Sequence, residues 1–204
     1  MKTDIYTLAH EIKNPLCVVK GYLEMMKEDN YVKYKEIINK EIDTSLEILN
    51  NYLEYNKLII NKEEIDLNVL LLDIKDSMKE YLISRDVHLI INLLDEDIYL
   101  LADYNKLKQV FYNIIKNSVE WQAKVITVTY QNLHENVKIM ITNDGEKIDE
   151  DKINHLDEGL SFNVLGNGIG LSLSKKIIEL HHGTITYVNN LNKGISTIIT
   201  LNKR

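Results

Sequence analysis

Two consecutive apolar stripes at the start of the chain constrain its fold more than any other feature. Apolar residues recur at helical spacing through residues 4–27 (Ile5, Leu8, Ile12, Leu16, Val19, Leu23, Met26) and again through residues 31–58 (Ile37, Ile38, Ile42, Leu46, Leu49, Leu53). Only the polar turn Lys27-Glu28-Asp29-Asn30 lies between them, so two amphipathic helices must fold back on one another as an antiparallel pair. A lone pair has too little surface to bury both stripes, and pairing with an identical hairpin into a four-helix bundle is the usual solution. Residues 1–60 are therefore expected to form a dimerising helical unit, and the chain a homodimer.

A polar junction bearing Glu and Lys at residues 59–65 ends this pattern, and a second domain is expected over residues 65–204. The patterning predicts helices over 66–83, 104–122 and 169–181, and strands over 87–93, 98–101, 125–130, 136–142, 184–189 and 195–201. These interleave without a regular βαβ repeat, which favours an α/β sandwich with helices on one sheet face and makes the chain as a whole α+β. Seven of the eight glycines fall between Gly145 and Gly194. Those in the connection between strand 136–142 and helix 169–181 mark backbone that passes close to a ligand, so this segment is expected to act as a lid. Gly183 stands where the last helix calls for a left-handed cap.

Composition narrows the partners. With 24 Lys and Arg against 31 Asp and Glu, the net charge of −7 offers no basic field for nucleic acid or an anionic membrane. No apolar run approaches the ~20 residues that span a bilayer, and the start lacks a signal-peptide layout, so no membrane segment is expected and the location is cytoplasmic. Only nine residues precede His10, so the input is expected from a separate sensory protein, the alternative being a truncated chain. Cys17 has no partner for a disulfide and reads as a small core hydrophobe, and Trp121 reads as core.

Four constellations carry chemistry. His10 and Asn14 are four apart and share a helical face, with Glu11 beside the histidine. Pro15 lacks an N–H and collides with the carbonyl four residues earlier, so it should bend the helix just past His10. An imidazole with an unperturbed pKa of ~6.5 keeps a free lone pair at cellular pH and can attack phosphorus, while Glu11 accepts the proton on its other nitrogen. Gln109, Asn113 and Asn117, spaced four apart, offer carbonyl oxygens to a hard cation and N–H donors to phosphate, and Mg²⁺ bridging nucleotide phosphates suits them. In Asn143-Asp144-Gly145, directly after a strand, a short acceptor can take the exocyclic amine of adenine while Gly145 lets the backbone pass close to the ring. Finally, Gly166-Asn167-Gly168-Ile169-Gly170-Leu171 leads into helix 169–181, whose N-terminal peptide groups can receive phosphate charge. His181 and His182 close that helix and are assigned no chemistry.

The stretch Leu8-Ala9-His10-Glu11-Ile12-Lys13-Asn14-Pro15-Leu16 closely resembles the phosphoacceptor box of bacterial sensor histidine kinases, and Val18 to Leu23 resembles the sporulation phosphorelay subgroup. Residues 109–118 resemble the asparagine box of that family, 143–148 its first glycine box and 166–171 its second, with Leu156 to Phe162 a shortened phenylalanine box. All occur in family order, so the resemblance to a histidine kinase transmitter covers about residues 1–204. It implies a phosphoacceptor hairpin followed by an ATP-binding sandwich of the type shared by gyrase-like and chaperone-like ATPases. It also implies a two-component protein kinase: Mg²⁺-bound ATP donates a phosphoryl group to His10, which passes it to an aspartate on the receiver domain of a response regulator. Asn117 would coordinate Mg²⁺, Asn113 would help hold the phosphates, and Asn14 would permit phosphatase activity by orienting water. The first glycine box departs from Asp-x-Gly-x-Gly, with Asn143 at the Asp position and Lys147 at the second Gly. That bears on nucleotide affinity and base choice, leaves Asp144 as an alternative adenine contact, and defines a competing reading as a non-catalytic scaffold with weak ATP binding.

Overall fold

Two long helices open the chain, as the stripes require: α1 spans Ile5–Met25 and α2 spans Tyr31–Lys57 in a computed structural model that describes residues 5–153, 156 and 169–203. Asn30 shapes the turn. Its Oδ1 accepts from the Lys27 N–H at 2.7 Å, and its Nδ2 donates at 3.2 Å to the Met25 carbonyl that the helix end leaves free. Leu8 and Ile48 are buried against each other, with Ile12 and Tyr52 packed around them. Ile38 is also buried, but much of the rest of the stripe is uncovered: Leu16, Leu23, Ile42, Leu46, Leu49 and Leu53 are all exposed. The four on α2 recur at spacings of four, three and four, the repeat of a bundle seam. Cys17 is also exposed, contrary to the core position expected for it. Leu8, Ile12 and Pro15 define the side of α1 turned to α2, and two residues further on the helix has rotated Cys17 to the opposite side.

After the hairpin come β1 (Glu63–Asp66), α3 (Leu67–Ser77), α4 (Lys79–Ile83), β2 (His88–Ile91) and β3 (Tyr99–Ala102). Then follow α5 (Tyr104–Glu120), β4 (Val125–Asn132), β5 (Asn136–Asn143), the short α6 (Glu150–Ile153), α7 (Ile169–Leu180), β6 (Thr184–Asn189) and β7 (Ile195–Asn202). Five strands form one sheet in the order β2-β4-β5-β7-β6, with β2 parallel to β4 and every other pair antiparallel. Burial alternates along β4 and β5, so Ile126, Val128, Val137, Ile139 and Ile141 turn one sheet face inward. That face shares a single core with α3, α5 and α7 through Leu70, Ile74, Leu107, Phe111, Ile115, Leu173 and Ile177. Helices on one face of the sheet match the expected sandwich.

Two elements at the start of the second domain differ from the sequence reading, as does the short α6, which falls within the connection expected to be a lid. The helix expected over 66–83 is two segments meeting at Met78, whose φ of −93° and ψ of −3° break the regular ladder while its N–H still bonds the Ile74 carbonyl. β1 was not anticipated at all. Glu63-Glu64-Ile65-Asp66 has a single apolar residue, and its strand state comes from pairing with β3, Ile65 opposite Leu100.

The end of α7 corrects the capping assignment. The left-handed residue is His182 (φ 59°), and the Gly183 N–H reaches the Ile178 carbonyl while the His182 N–H reaches that of Glu179, a Schellman closure. Gly183 is required for a different reason: a Cβ there would lie 2.5 Å from the Thr200 carbonyl oxygen and 2.8 Å from Leu201. Gly183→Ala should therefore cost about 1–3 kcal/mol through overpacking against β7, read as a lower melting temperature in calorimetry, whereas His182→Gly should not destabilise.

Candidate active site

On α1, His10 and Asn14 are both exposed and one turn apart, on the same face. The helix runs unbroken through Pro15, which is buried and leaves the Glu11 carbonyl without its usual donor. Glu11 is half-buried; its Oε2 is screened from solvent with no hydrogen-bond partner among the described residues, and burial pushes its carboxyl up to about 7. A carboxylate with that affinity is a proton acceptor poised at neutral pH.

α5 places the amide row. Its apolar side is held in the core by Leu107, Phe111, Ile114 and Ile115, so Gln109, Asn113 and Asn117 are left half-buried along the other side. The Asn113 Nδ2 donates to the Gly170 carbonyl and the Ser174 Oγ, both at 3.2 Å, which fastens the row to the first turns of α7. The N-terminus of α5 is capped by Asp103, whose Oδ1 accepts from the Lys106 N–H at 3.0 Å and whose Oδ2 accepts from the Asn61 N–H at 2.9 Å. The Asp103 N–H in turn donates to His181 Nε2 at 2.8 Å, so His181 carries its proton on Nδ1 and gives it to the Ile177 carbonyl. Burial holds this imidazole below the usual histidine range, in keeping with a neutral, structural role.

Asn113, Asn117 and Gly170 line one small pocket together with Lys116 and Glu120 of α5 and with Glu47 and Asn51 of α2. Its lining is rich in amide and carboxylate oxygens, the donor set that a magnesium ion requires. Gly170 lies close against Asn113: a hypothetical Cβ there would sit in van der Waals contact with the Asn113 amide, the nearest atom being 3.6 Å away. The hairpin contribution was not legible in the sequence. Gln109 is turned to the hairpin: its Nε2 donates to Glu54 Oε2 at 2.8 Å. Lys106 pairs with the other Glu54 oxygen, and Lys116 with Glu47 at 2.6 Å. Glu47 and Asn51 belong to the same turns of α2 that pack, through Ile48 and Tyr52, against Leu8 and Ile12 on either side of His10.

At the end of β5 the three expected residues behave differently. Asn143 is buried, Asp144 is exposed with its Oδ1 accepting from the Lys124 and Val125 N–H groups at 2.8 Å each, and Gly145 lies against the end of α5. A Cβ on Gly145 would fall 2.2 Å from the Trp121 carbonyl oxygen, so only glycine fits. Lys147, at the family's second glycine position, reaches the Leu191 carbonyl at 2.7 Å. Gly166 and Gly168 lie outside the described residues, as does most of the expected lid, while Gly170 and a buried Leu171 open α7.

Comparison with known families places these features together. Residues 5–59 match the His Kinase A (phospho-acceptor) domain, and residues 102–204 match the histidine kinase-, DNA gyrase B- and HSP90-like ATPases. The chain belongs to the histidine kinase family. It is 30% identical to Sporulation kinase B of Bacillus subtilis (strain 168), over 96% of this chain and 48% of that protein. It is likewise 30% identical to Sporulation kinase A of the same organism, over 97% of this chain and 34% of that one. The chain thus spans about half the length, or less, of these curated relatives. A crystal structure of histidine kinase ThkA in complex with response regulator protein TrrA superposes with a TM-score of 0.82 at 27% identity, over 96% of this chain and 60% of that one.

The raised Glu11 carboxyl sets a pH dependence. Its folded value of about 7 stands above the 4.5 of a free side chain, so the folded state holds the extra proton; the associated stability is full below pH 4.5 and is lost as the pH rises through about 7. Glu11→Gln, neutral throughout, should melt higher than the wild type at pH 8 and within error of it at pH 4.5. Equal melting at pH 8 would refute the desolvated carboxyl.

Proposed function

We propose that the chain is an ATP-dependent protein histidine kinase that phosphorylates His10 and hands the phosphoryl group to an aspartate of a response regulator. One observation carries this reading: the pocket of Asn113, Asn117 and Gly170 is walled by the same turns of α2 that support the His10 segment of α1. In the reaction a neutral His10 nitrogen attacks the γ-phosphorus of ATP, an N–P bond forms, and the bond to the bridging oxygen breaks to release ADP. Glu11 takes the proton from the other ring nitrogen, which neutralises the imidazolium as it develops. Asn113 and the first turn of α7, with Gly170 and Leu171, hold the phosphates together with Gly166 and Gly168 of the preceding glycine-rich stretch of sequence, and Asn143, Asp144 and Gly145 form the base end. Asn117 would hold Mg²⁺, which when bound would supply charge neutralisation for the triphosphate. Positioning provides most of the remaining catalysis.

The proposed unit boundaries are 1–60 for the phosphoacceptor hairpin and 65–204 for the catalytic domain. ATP as donor implies a cytoplasmic setting. Asn14, exposed one turn from His10, also suits orientation of a water for hydrolysis of the phosphorylated regulator. Among the described residues, no helix is long and apolar enough to cross a membrane.

Incubation with γ-labelled ATP and Mg²⁺ should give an acid-labile label on the wild type. His10→Gln should lose the label and keep nucleotide binding, whereas Asn117→Ala should lose both. Label persisting in His10→Gln, or stable to acid, overturns the assignment.

The uncovered seam of Ile42, Leu46, Leu49 and Leu53 supports a homodimer through a four-helix bundle. Sedimentation equilibrium at micromolar concentration should return twice the mass of the chain, and Leu46→Glu combined with Leu53→Glu should return a single mass. A wild-type monomer would sink the bundle.

A further inference from the structure

Asn143 is 4% exposed, and every bond it makes is defined. Its Oδ1 accepts from two backbone donors, the Gly145 N–H at 3.0 Å and the Ile195 N–H at 3.3 Å. These settle which end of the amide is oxygen, because turning the group over would set its N–H₂ against both of them. Its Nδ2 donates to the Ser118 Oγ at 3.2 Å, and the hydroxyl spends its own proton on the Ile114 carbonyl at 2.9 Å. Both lone pairs of Oδ1 are therefore taken, and the amide is locked. What the side chain has left to offer a ligand is the second hydrogen on Nδ2, a donor.

A carboxylate in the same place would behave otherwise. One oxygen would keep the Gly145 and Ile195 donors, and the other would be a free acceptor suited to the amine at position six of adenine. With Asn143 a donor would meet that amine, and a donor facing a donor is a mismatch that a polar site rejects. Purines with a carbonyl at position six, hypoxanthine and guanine, present an acceptor there. We propose that Asn143 sets the base choice of this site and that the protein takes 6-oxopurine nucleoside triphosphates at least as well as ATP. The inference rests on the reading of Asn143 as part of the base end of a nucleotide site.

The test is titration of the full chain, in Mg²⁺, with ATP, inosine triphosphate and GTP by calorimetry, for the wild type and for Asn143→Asp. Inosine triphosphate exchanges the amine for a carbonyl without the extra 2-amino group of guanine, so it isolates the contact at issue. The wild type should bind inosine triphosphate and GTP as tightly as ATP or more tightly, and Asn143→Asp should move the ratio toward ATP by about tenfold or more. A wild type that favours ATP over inosine triphosphate by about tenfold or more overturns the inference while leaving the nucleotide site intact. An unchanged ratio in Asn143→Asp overturns the role of the residue. Failure of the wild type and the variant to bind any of the three overturns the nucleotide reading itself. Should Asn143→Asp not fold, the wild-type ratio decides alone.

Discussion

Three parts of the molecule meet at the buried carboxylate of Asp103. It caps α5, receives the Asn61 N–H from the segment that leaves the hairpin, and through its own N–H engages His181 at the end of α7. Each bond satisfies a backbone donor or a ring nitrogen that would otherwise be buried without a partner, which is costly enough to keep all of them in place. The start of the amide-bearing helix is thereby anchored to both the hairpin exit and the helix that begins at the glycine-rich segment. At the other end of α5 the Gly145 backbone presses on the Trp121 carbonyl, and Asn143 reaches Ser118. A helix pinned at both ends can present Asn113 and Asn117 at a constant position.

Contacts between the hairpin and this core have a different character. Glu47 with Lys116, and Glu54 with Lys106 and Gln109, are partly exposed, and Lys176 donates to the Tyr55 carbonyl and sits 4.1 Å above the Tyr55 ring, which itself packs on the edge of the core. Partly exposed ion pairs are worth about 0–1 kcal/mol each. Polar contacts of this kind between domains release easily compared with an apolar core. Such looseness suits the proposed reaction, in which the residues assigned to the phosphates would have to approach His10 on the hairpin.

Much of the architecture was legible from residue pattern. The stripes of 4–27 and 31–58 foretold the hairpin, and the alternation in 125–130 and 136–142 foretold β4 and β5, because period and burial are directly linked in both cases. The amide row on α5 was legible for the same reason. What escaped was whatever depended on a partner remote in sequence. β1 is a strand because Ile65 meets Leu100; Glu47 and Asn51 border the pocket because α2 lies beside α5; His181 is structural because Asp103 comes to it. The Gly183 reading failed instructively, since the strained conformation fell to His182 and the glycine was needed for the close approach of β7.

Residue order alone determined the two-part organisation, the helical and strand periods, and the set of groups able to do chemistry: a histidine beside a carboxylate, a row of amides, and a concentration of glycine. These are local properties, written in spacings of two, three and four residues and in side-chain type. Only the tertiary structure decided how those groups are committed. It turned Gln109 toward Glu54, tied Asn113 to α7, left Glu11 half-buried with an unbonded oxygen, and spent both lone pairs of Asn143 on backbone donors from its own loop and from β7. A hydrogen bond has two ends, and the second end is supplied by whichever distant residue packing brings within about 3 Å.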